Sequence, residues 1–185
     1  MRVLAISGSL RRDSYNTKLL RAAEELLPAG FELEYFEELE SVPPYNEDRD
    51  TDQAPLAAAY LRDRIAAADA LLIATPEYNA SIPGQLKNAV DWASRPVRVG
   101  VLWGKPAVVI GASTGMYGAV WAQAELRKSL ATAGARVVDA EVAVGRAAQR
   151  FDSDGRLVDD EIRDALREAI GALVAEVTLR RLVAA

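Results

Sequence analysis

Short apolar segments alternate with helical patterns along the whole of this 185-residue chain. Five segments have the length and apolar content of β-strands: residues 2–7, 31–36, 70–75, 107–112 and 136–144. Apolar residues recur at helical spacing in residues 16–27, 55–68, 85–94 and 119–133, and in a last segment capped by Asp159 or Asp160. Regular alternation of this kind predicts a parallel sheet covered by helices on both faces.

Right-handed crossovers leave few possible strand orders for such a sheet. For one domain spanning residues 1–185, we expect a flavodoxin-like α/β fold. This is a three-layer sandwich whose five-stranded parallel sheet has the order 2-1-3-4-5. Ligands of such sheets bind outside the carboxyl ends of strands 1 and 3, where the winding reverses. The loops after these two strands should therefore carry the function, with the loop after strand 4 at their border.

The chain contains neither cysteine nor histidine. This excludes disulfides, thiolate nucleophiles, Cys/His zinc sites and acid–base catalysis by histidine. A net charge of −5, with no basic cluster, argues against nucleic acid and anionic membranes as partners. The apolar runs are too short to span a bilayer, and the first residues lack the features of a signal peptide. We therefore expect a cytoplasmic protein.

The first loop, residues 8–17, follows a buried strand and leads into a helix. Unpaired N–H groups at a helix N-terminus bind anions, and Arg11 adds a guanidinium group whose charge and paired donors suit phosphate. Polar donors are abundant here, namely Ser9, Ser14, Asn16 and Thr17. Neither a P-loop nor a Rossmann glycine motif is present, which favours a monophosphate that is not transferred. The alternative is that Ser14 or Asn16 only caps the helix.

The second loop, residues 75–84, follows strand 3, and the third loop, residues 111–118, follows strand 4. Residues 75–84 contain two prolines that restrict the backbone, and Tyr78 offers an aromatic wall. Residues 111–115 match the G-x-S-x-G nucleophile elbow of α/β-hydrolases. Without a histidine, however, Ser113 has no triad base, so the glycines are better explained by close approach of the backbone to a ligand.

Taken together, three segments resemble the NADPH-dependent FMN reductase family, which includes quinone, azo-dye and chromate reductases. They are GSLRRDSYNTKLL, TPEYNASIPGQLKNAVDW and GASTGMYGAVWAQAELRKSL. Val42–Asp48 resembles the proline–tyrosine segment of that family, and the similarity covers about residues 2–145. The third segment departs from the common pattern, because Thr114 replaces a proline and Ala119 follows Gly118.

The resemblance implies non-covalent FMN, with NADPH or NADH as the hydride donor. Phosphate contacts would come from Ser9, Arg11, Ser14, Asn16 and Thr17. The isoalloxazine ring would lie against Pro76, Glu77, Tyr78 and Asn79, whose backbone would contact its N5/O4 side. Its pyrimidine end would lie against residues 113–117, including Ser113, Gly115, Met116 and Tyr117. Tyr15 and Ser81 complete the predicted cofactor-binding set, in which no residue is catalytic because flavin N5 carries the chemistry.

The expected function is ping-pong hydride transfer from NAD(P)H through FMN to a quinone, azo compound, metal oxyanion or flavin. Members of the family are typically dimers or tetramers, so we expect a homodimer or homotetramer. Tyr45, Trp103 and Trp121 are then candidates for the subunit interface or the substrate wall, with core packing as the alternative for the tryptophans. The remaining alternatives are a flavodoxin-type electron carrier without NAD(P)H oxidation, and a flavin-free regulatory or scaffold protein.

Overall fold

A computed structural model describes the backbone of residues 1–184 and the side chains of residues 1–182. Its parallel sheet has the order β2-β1-β3-β4-β5, with β6 also paired to β4, which confirms the predicted order. The strands are β1 Arg2–Ser7, β2 Glu32–Phe36, β3 Ala70–Thr75, β4 Pro106–Ala112, β5 Arg136–Val137 and β6 Ala143–Val144. The helices are α1 Tyr15–Glu24, α2 Leu56–Ala67, α3 Gly84–Ala93, α4 Val120–Thr132 and α5 Asp160–Ala184.

Each face of the sheet packs against its own set of helices, because successive strand residues point to opposite faces. Helices α1 and α5 cover one face, where Leu20 and Leu173 pack with Leu72. Helices α2, α3 and α4 cover the other, where Leu61 and Leu126 pack with Leu71. These two cores fix the strand ends and therefore the starting points of the three loops.

The predicted fifth strand is wrong over its middle. Instead of one strand over residues 136–144, the two short strands β5 and β6 pair with opposite ends of β4. Between them, the N–H of Ala140 donates to the carbonyl of Val138, at 3.0 Å, so the chain turns locally and leaves the ladder. Asp139 and Glu141 at this turn are exposed, as they would also be on the outer face of a continuous strand, so their charge does not reveal the interruption.

Helix α1 is also shorter than predicted, because it ends at Glu24 rather than at Leu27. The N–H groups of Leu26 and Leu27 donate to carbonyls three residues earlier, at 3.1 and 3.2 Å. Pro28 follows, and a residue before proline avoids the helical conformation. Within residues 1–184, no helix combines the length and apolar character needed to cross a membrane.

Lys105 is a buried cation at the amino-terminal end of the sheet, far along β4 from the three loops. Its Nζ donates to the carbonyls of Ala68 and Ala66 at the end of α2, at 2.5 and 3.3 Å. Burial, aided by the charge of Arg180, lowers the pKa of Lys105 to about 8, and Asp69 opposes this effect.

We expect the stability of the wild type to rise with pH, relative to Lys105→Met, between pH 8 and pH 10.5. In this window the unfolded chain holds a proton on Lys105 that the folded chain has lost, so raising the pH favours folding. The relative gain should be at most about 3 kcal/mol. Urea unfolding of both proteins across the window measures it, and a constant difference would show that the pKa of Lys105 is unshifted.

Candidate functional site

The first loop presents backbone donors at the start of α1. Ser14 is the N-cap, and its Oγ accepts from the N–H of Asn16 at 3.2 Å. Within residues 1–184, the N–H groups of Arg12, Asp13 and Tyr15 have no acceptor. Arg11 is exposed, with only a 3.5 Å contact from its guanidinium to the Asp13 carbonyl. Free donors beside an exposed cation at a helix N-terminus suit an anion such as phosphate.

The amide of Asn16 joins the first loop to the third. Its Nδ2 donates to the carbonyl of Ala112 at 3.0 Å, and its Oδ1 accepts from the N–H of the same residue at 2.9 Å. Asn16 is buried, so both polar atoms of its amide are satisfied by the end of β4. The side chain thus braces the site, and its predicted contact with phosphate stays a prediction.

Hydroxyl groups form a network behind the first loop. Thr17 Oγ1 donates to Ser7 Oγ at 3.1 Å, and Ser9 Oγ accepts from the N–H of Arg11 at 3.4 Å. The ring of Tyr15 lies 5.6 Å from that of Phe151, which places Tyr15 partly in the core beside α5. Lys18 and Asp13 form an ion pair of 2.5 Å that lowers the pKa of Asp13.

The second loop contains a tight turn at its tip. Tyr78 and Ser81 exchange backbone hydrogen bonds of 3.2 and 3.1 Å, and the two residues between them have φ angles of 53° and 58°. Left-handed conformation at both central residues defines a type I′ turn, for which asparagine is suited. Pro76 is buried below the turn, whereas the ring of Tyr78 is half-exposed.

Glu77, also in the second loop, reaches helix α4, which follows the third loop. Its Oε2 accepts from the N–H groups of Trp121 and Ala122 at the start of α4, at 3.0 and 3.1 Å. Ser81 Oγ donates to Glu125 Oε2 on the same helix, at 2.5 Å. Sequence reasoning missed both contacts, because partners that lie 44 or 45 positions apart in the chain leave no recognisable local signal.

The third loop turns sharply after β4. Ser113 Oγ accepts from the N–H of Gly115 at 3.1 Å, so this hydroxyl supports the turn. The carbonyl of Gly115 accepts from the N–H of Arg146 at 2.7 Å, which fixes the loop to the chain after β6. Met116 and Tyr117 project outward, and the Tyr117 ring meets that of Trp121 edge-on at 4.9 Å.

Hydrogen bonds tie the three loops together through the elements beside them. The N–H of Gly8 in the first loop donates to the carbonyl of Ala74, at 2.8 Å, near the end of β3, from which the second loop starts. Asn16 links the first loop to Ala112 at the end of β4, where the third loop begins, and Glu77 links the second loop to the start of α4, where the third loop ends. Around this junction lies a rim of half-exposed apolar side chains: Leu10, Tyr78, Met116, Tyr117 and Trp121. Backbone donors framed by apolar walls suit a flat heteroaromatic ligand with an anionic tail.

The remaining sequence candidates lie outside this junction. Tyr45 packs edge-on against buried Trp92 at 5.0 Å, and its N–H donates to Asn88 Oδ1 at 2.6 Å. Asn88 therefore holds the proline–tyrosine segment in place. Trp103 packs against Gly134 in a cleft of about 700 Å³ between α3 and α4.

Comparison with known proteins gives one consistent result. The family model for NADPH-dependent FMN reductase matches residues 1–149. A NAD(P)H-dependent FMN reductase of Pseudomonas aeruginosa is 44% identical over 183 residues, covering 98% of this chain and 97% of the relative. A 2-hydroxy-1,4-benzoquinone reductase of Burkholderia sp. is 39% identical over 182 residues, covering 98% of each.

Solved structures agree with the sequence relatives. The flavoenzyme NAD(P)H:(acceptor) oxidoreductase FerB of Paracoccus denitrificans superposes with a TM-score of 0.85 and 37% identity. The match covers 96% of this chain and 97% of that chain. The two chains therefore share the arrangement of strands and helices that brings the three loops together.

Proposed function

Because this chain belongs to the NADPH-dependent FMN reductase family, we propose that its three joined loops form the FMN site of an NAD(P)H-dependent flavin oxidoreductase. Residues 1–185 would make up one FMN-binding domain. The observation that carries the proposal is that hydrogen bonds through the ends of β3 and β4 and the start of α4 hold the three loops together around unpaired backbone donors and an apolar rim. Such an arrangement needs no histidine or cysteine, in keeping with the composition.

The start of α1 would hold the phosphate of FMN. The N–H groups of Arg12, Asp13 and Tyr15 are free, so the phosphate would be anchored at the positive end of this helix. Arg11 would add a charge-assisted hydrogen bond, which neutral donors cannot match in strength. Ser9 and Thr17 would contribute hydroxyl groups from the same loop. Ser14 and Asn16 would support the phosphate site without contacting it through their hydrogen-bonded side-chain atoms: Ser14 caps the helix, and Asn16 is bound to Ala112.

The second and third loops would hold the ring. The N–H groups of Glu77 and Asn79 have no acceptor within residues 1–184, so they are available to polar atoms at the ring edge. Pro76 and Tyr78 would supply one wall, and the outward side chains of Met116 and Tyr117 the other. Ser113 and Gly115 would shape the third loop rather than contact the ring through side chains.

When bound, FMN supplies the redox chemistry, accepting hydride and passing electrons on. The chain's own residues position the cofactor, exclude water from part of it and offer donors beside the ring edge. The half-exposed rim leaves one side open to a flat molecule, so donor and acceptor would occupy the same place in turn. Ping-pong kinetics with a quinone or another small aromatic acceptor would follow.

The test is the visible spectrum of the FMN-loaded protein under anaerobic conditions, before and after one equivalent of NADPH or NADH. We expect prompt bleaching of the flavin absorbance and its return when a quinone is added. A flavin spectrum that stays oxidised with both donors would indicate an electron carrier instead. Failure to bind FMN would overturn the assignment of the loops and favour a flavin-free role.

Replacing Arg11 by alanine should weaken FMN binding by about 1.5–3 kcal/mol, because a hydrogen bond from a charged donor to phosphate is lost. Arg12→Ala is the matched control, since both arginines are exposed in the same loop. Fluorescence titration with FMN, and with riboflavin, which lacks the phosphate, measures the effect. Equal losses for both ligands would place Arg11 away from the phosphate.

We further propose that the protein forms a homodimer or homotetramer in which a second copy covers the cleft between α3 and α4. Val97 and Trp103 are exposed there, which a protein–protein contact would bury. Ser81 of the second loop lines the same cleft, so a bound copy would border the flavin site. Sedimentation velocity tests this, and a monomer at micromolar concentration would contradict it.

We place the enzyme in the cytoplasm, where its hydride donor is present.

A further inference from the structure

Helix α4 lacks a cap from its own part of the chain. Its N-cap residue, Ala119, has no side-chain oxygen and adopts a left-handed conformation with φ 62°. Gly118 before it is also left-handed, at φ 60°. The first turn of a helix exposes unpaired N–H groups and carries partial positive charge, so an uncapped start is costly.

The carboxylate of Glu77 occupies the place of the missing cap. Its hydrogen bonds reach the second and third residues of α4, Trp121 and Ala122, which are the usual targets of an N-cap side chain. The charge on Glu77 also complements the positive end of the helix. A residue of the second loop therefore performs a task that normally falls to the residue just before the helix.

This cap also determines where the third loop lies. The third loop leads directly into α4, and Gln123 Nε2 on that helix donates to the carbonyl of Gly118, at 3.0 Å. At the other end of the turn in the second loop, Ser81 is tied to Glu125. Glu77 and Ser81 flank the rigid turn at Tyr78, so both of its ends are fastened to α4. The second and third loops thereby become one unit.

We propose that Glu77 is a positioning residue, whose side chain caps α4 and so holds the second and third loops at the spacing that the FMN ring requires. The proposal rests on the proposed function, and it assigns the side chain of Glu77 to the helix and only its backbone to the cofactor. Without the cap, the two loops would sample other spacings. The apparent dissociation constant of FMN then rises, because a smaller fraction of the protein molecules has the loop spacing that binds FMN.

The experiment compares Glu77→Ala with Glu77→Gln and Val177→Ala. We expect Glu77→Ala to raise the dissociation constant of FMN about tenfold, the size of a typical cap. Glu77→Gln keeps an oxygen that accepts both N–H groups, so it should remain within about fivefold of wild type. Val177 is buried in α5 on the opposite face of the sheet, so Val177→Ala lowers stability without touching α4.

Hydrogen exchange in the cofactor-free protein gives a second readout. The amides of Trp121 and Ala122 should exchange about tenfold faster in Glu77→Ala than in wild type or Val177→Ala. If the wild type binds no FMN, the proposed function fails. Exchange at these two amides then still shows whether Glu77 caps α4, so the two failures are distinguishable.

Three results would overturn the proposal. Unchanged exchange at Trp121 and Ala122 would show that Glu77 does not cap α4. Faster exchange with an unchanged FMN dissociation constant would show a cap that does not position the loops. Equal losses of FMN binding in Glu77→Ala and Glu77→Gln, with normal exchange in the latter, would mean that the negative charge acts on the cofactor directly.

Discussion

Replacing Asn16 by alanine is expected to lower the free energy of unfolding by about 3–5 kcal/mol, even without FMN. The change removes both partners of the Ala112 backbone, which lies buried at the end of β4. A buried N–H and a buried carbonyl without partners each carry a desolvation penalty. Because Asn16 also joins the first loop to the third, the variant should lose FMN affinity together with stability.

Urea unfolding of the cofactor-free protein measures the effect of Asn16→Ala. Asn46→Ala is the matched control, because Asn46 Oδ1 accepts from the N–H of Asp48, at 2.9 Å, in an exposed position. That change should cost about 1 kcal/mol, as for an ordinary cap. Equal losses in the two variants would show that water or a neighbouring group replaces the Asn16 amide, and that the brace contributes little.

Replacing Gly118 by alanine is expected to lower the free energy of unfolding by about 3–4 kcal/mol. The added Cβ would lie 2.4 Å from the backbone carbon of Ala143 and 2.6 Å from the nitrogen of Val144. These are main-chain atoms of β6, so no side-chain rotation relieves the clash. The left-handed conformation adds a further penalty. Either β6 or the third loop must move, and Met116 and Tyr117 would be displaced with it.

Gly30→Ala separates the two causes in the Gly118 prediction. Gly30 is also left-handed, at φ 88°, but a Cβ there would meet nothing within 4 Å. Its replacement should cost only about 1 kcal/mol, from backbone strain alone. Chemical denaturation and FMN titration of both variants provide the comparison. If Gly118→Ala and Gly30→Ala lower the free energy of unfolding equally, and FMN affinity is retained, then β6 can shift to make room for the added Cβ.

The sequence was informative about the sheet because short apolar segments alternate with amphipathic helical patterns along the chain. Residues 70–75 and 107–112 are apolar apart from Thr75, and short apolar segments of this kind are typical of strands covered on both faces. The fifth strand was mispredicted because its interruption depends on one backbone hydrogen bond, from Ala140 to Val138, which leaves no compositional trace.

For the candidate site, the sequence alone was enough to predict which three loops would form it. Strand order places the ends of β1, β3 and β4 at one edge, and the polar, glycine-rich and proline-rich segments follow these three strands. The absence of histidine and cysteine likewise excluded most other chemistry without any coordinates. Local composition and strand order were sufficient for these conclusions, because neither depends on side-chain contacts.

The tertiary structure alone decided what individual side chains do there. Asn16 was predicted among the phosphate ligands, yet its amide is satisfied by Ala112, 96 positions away in the chain. Glu77 was predicted to meet the ring through its backbone, and only the structure shows that its carboxylate accepts from the start of a helix more than forty residues later. Hydrogen-bond partners so distant in sequence meet only after the sheet has formed. Their pairing is set by distances of about 3 Å, which no local pattern of residues encodes.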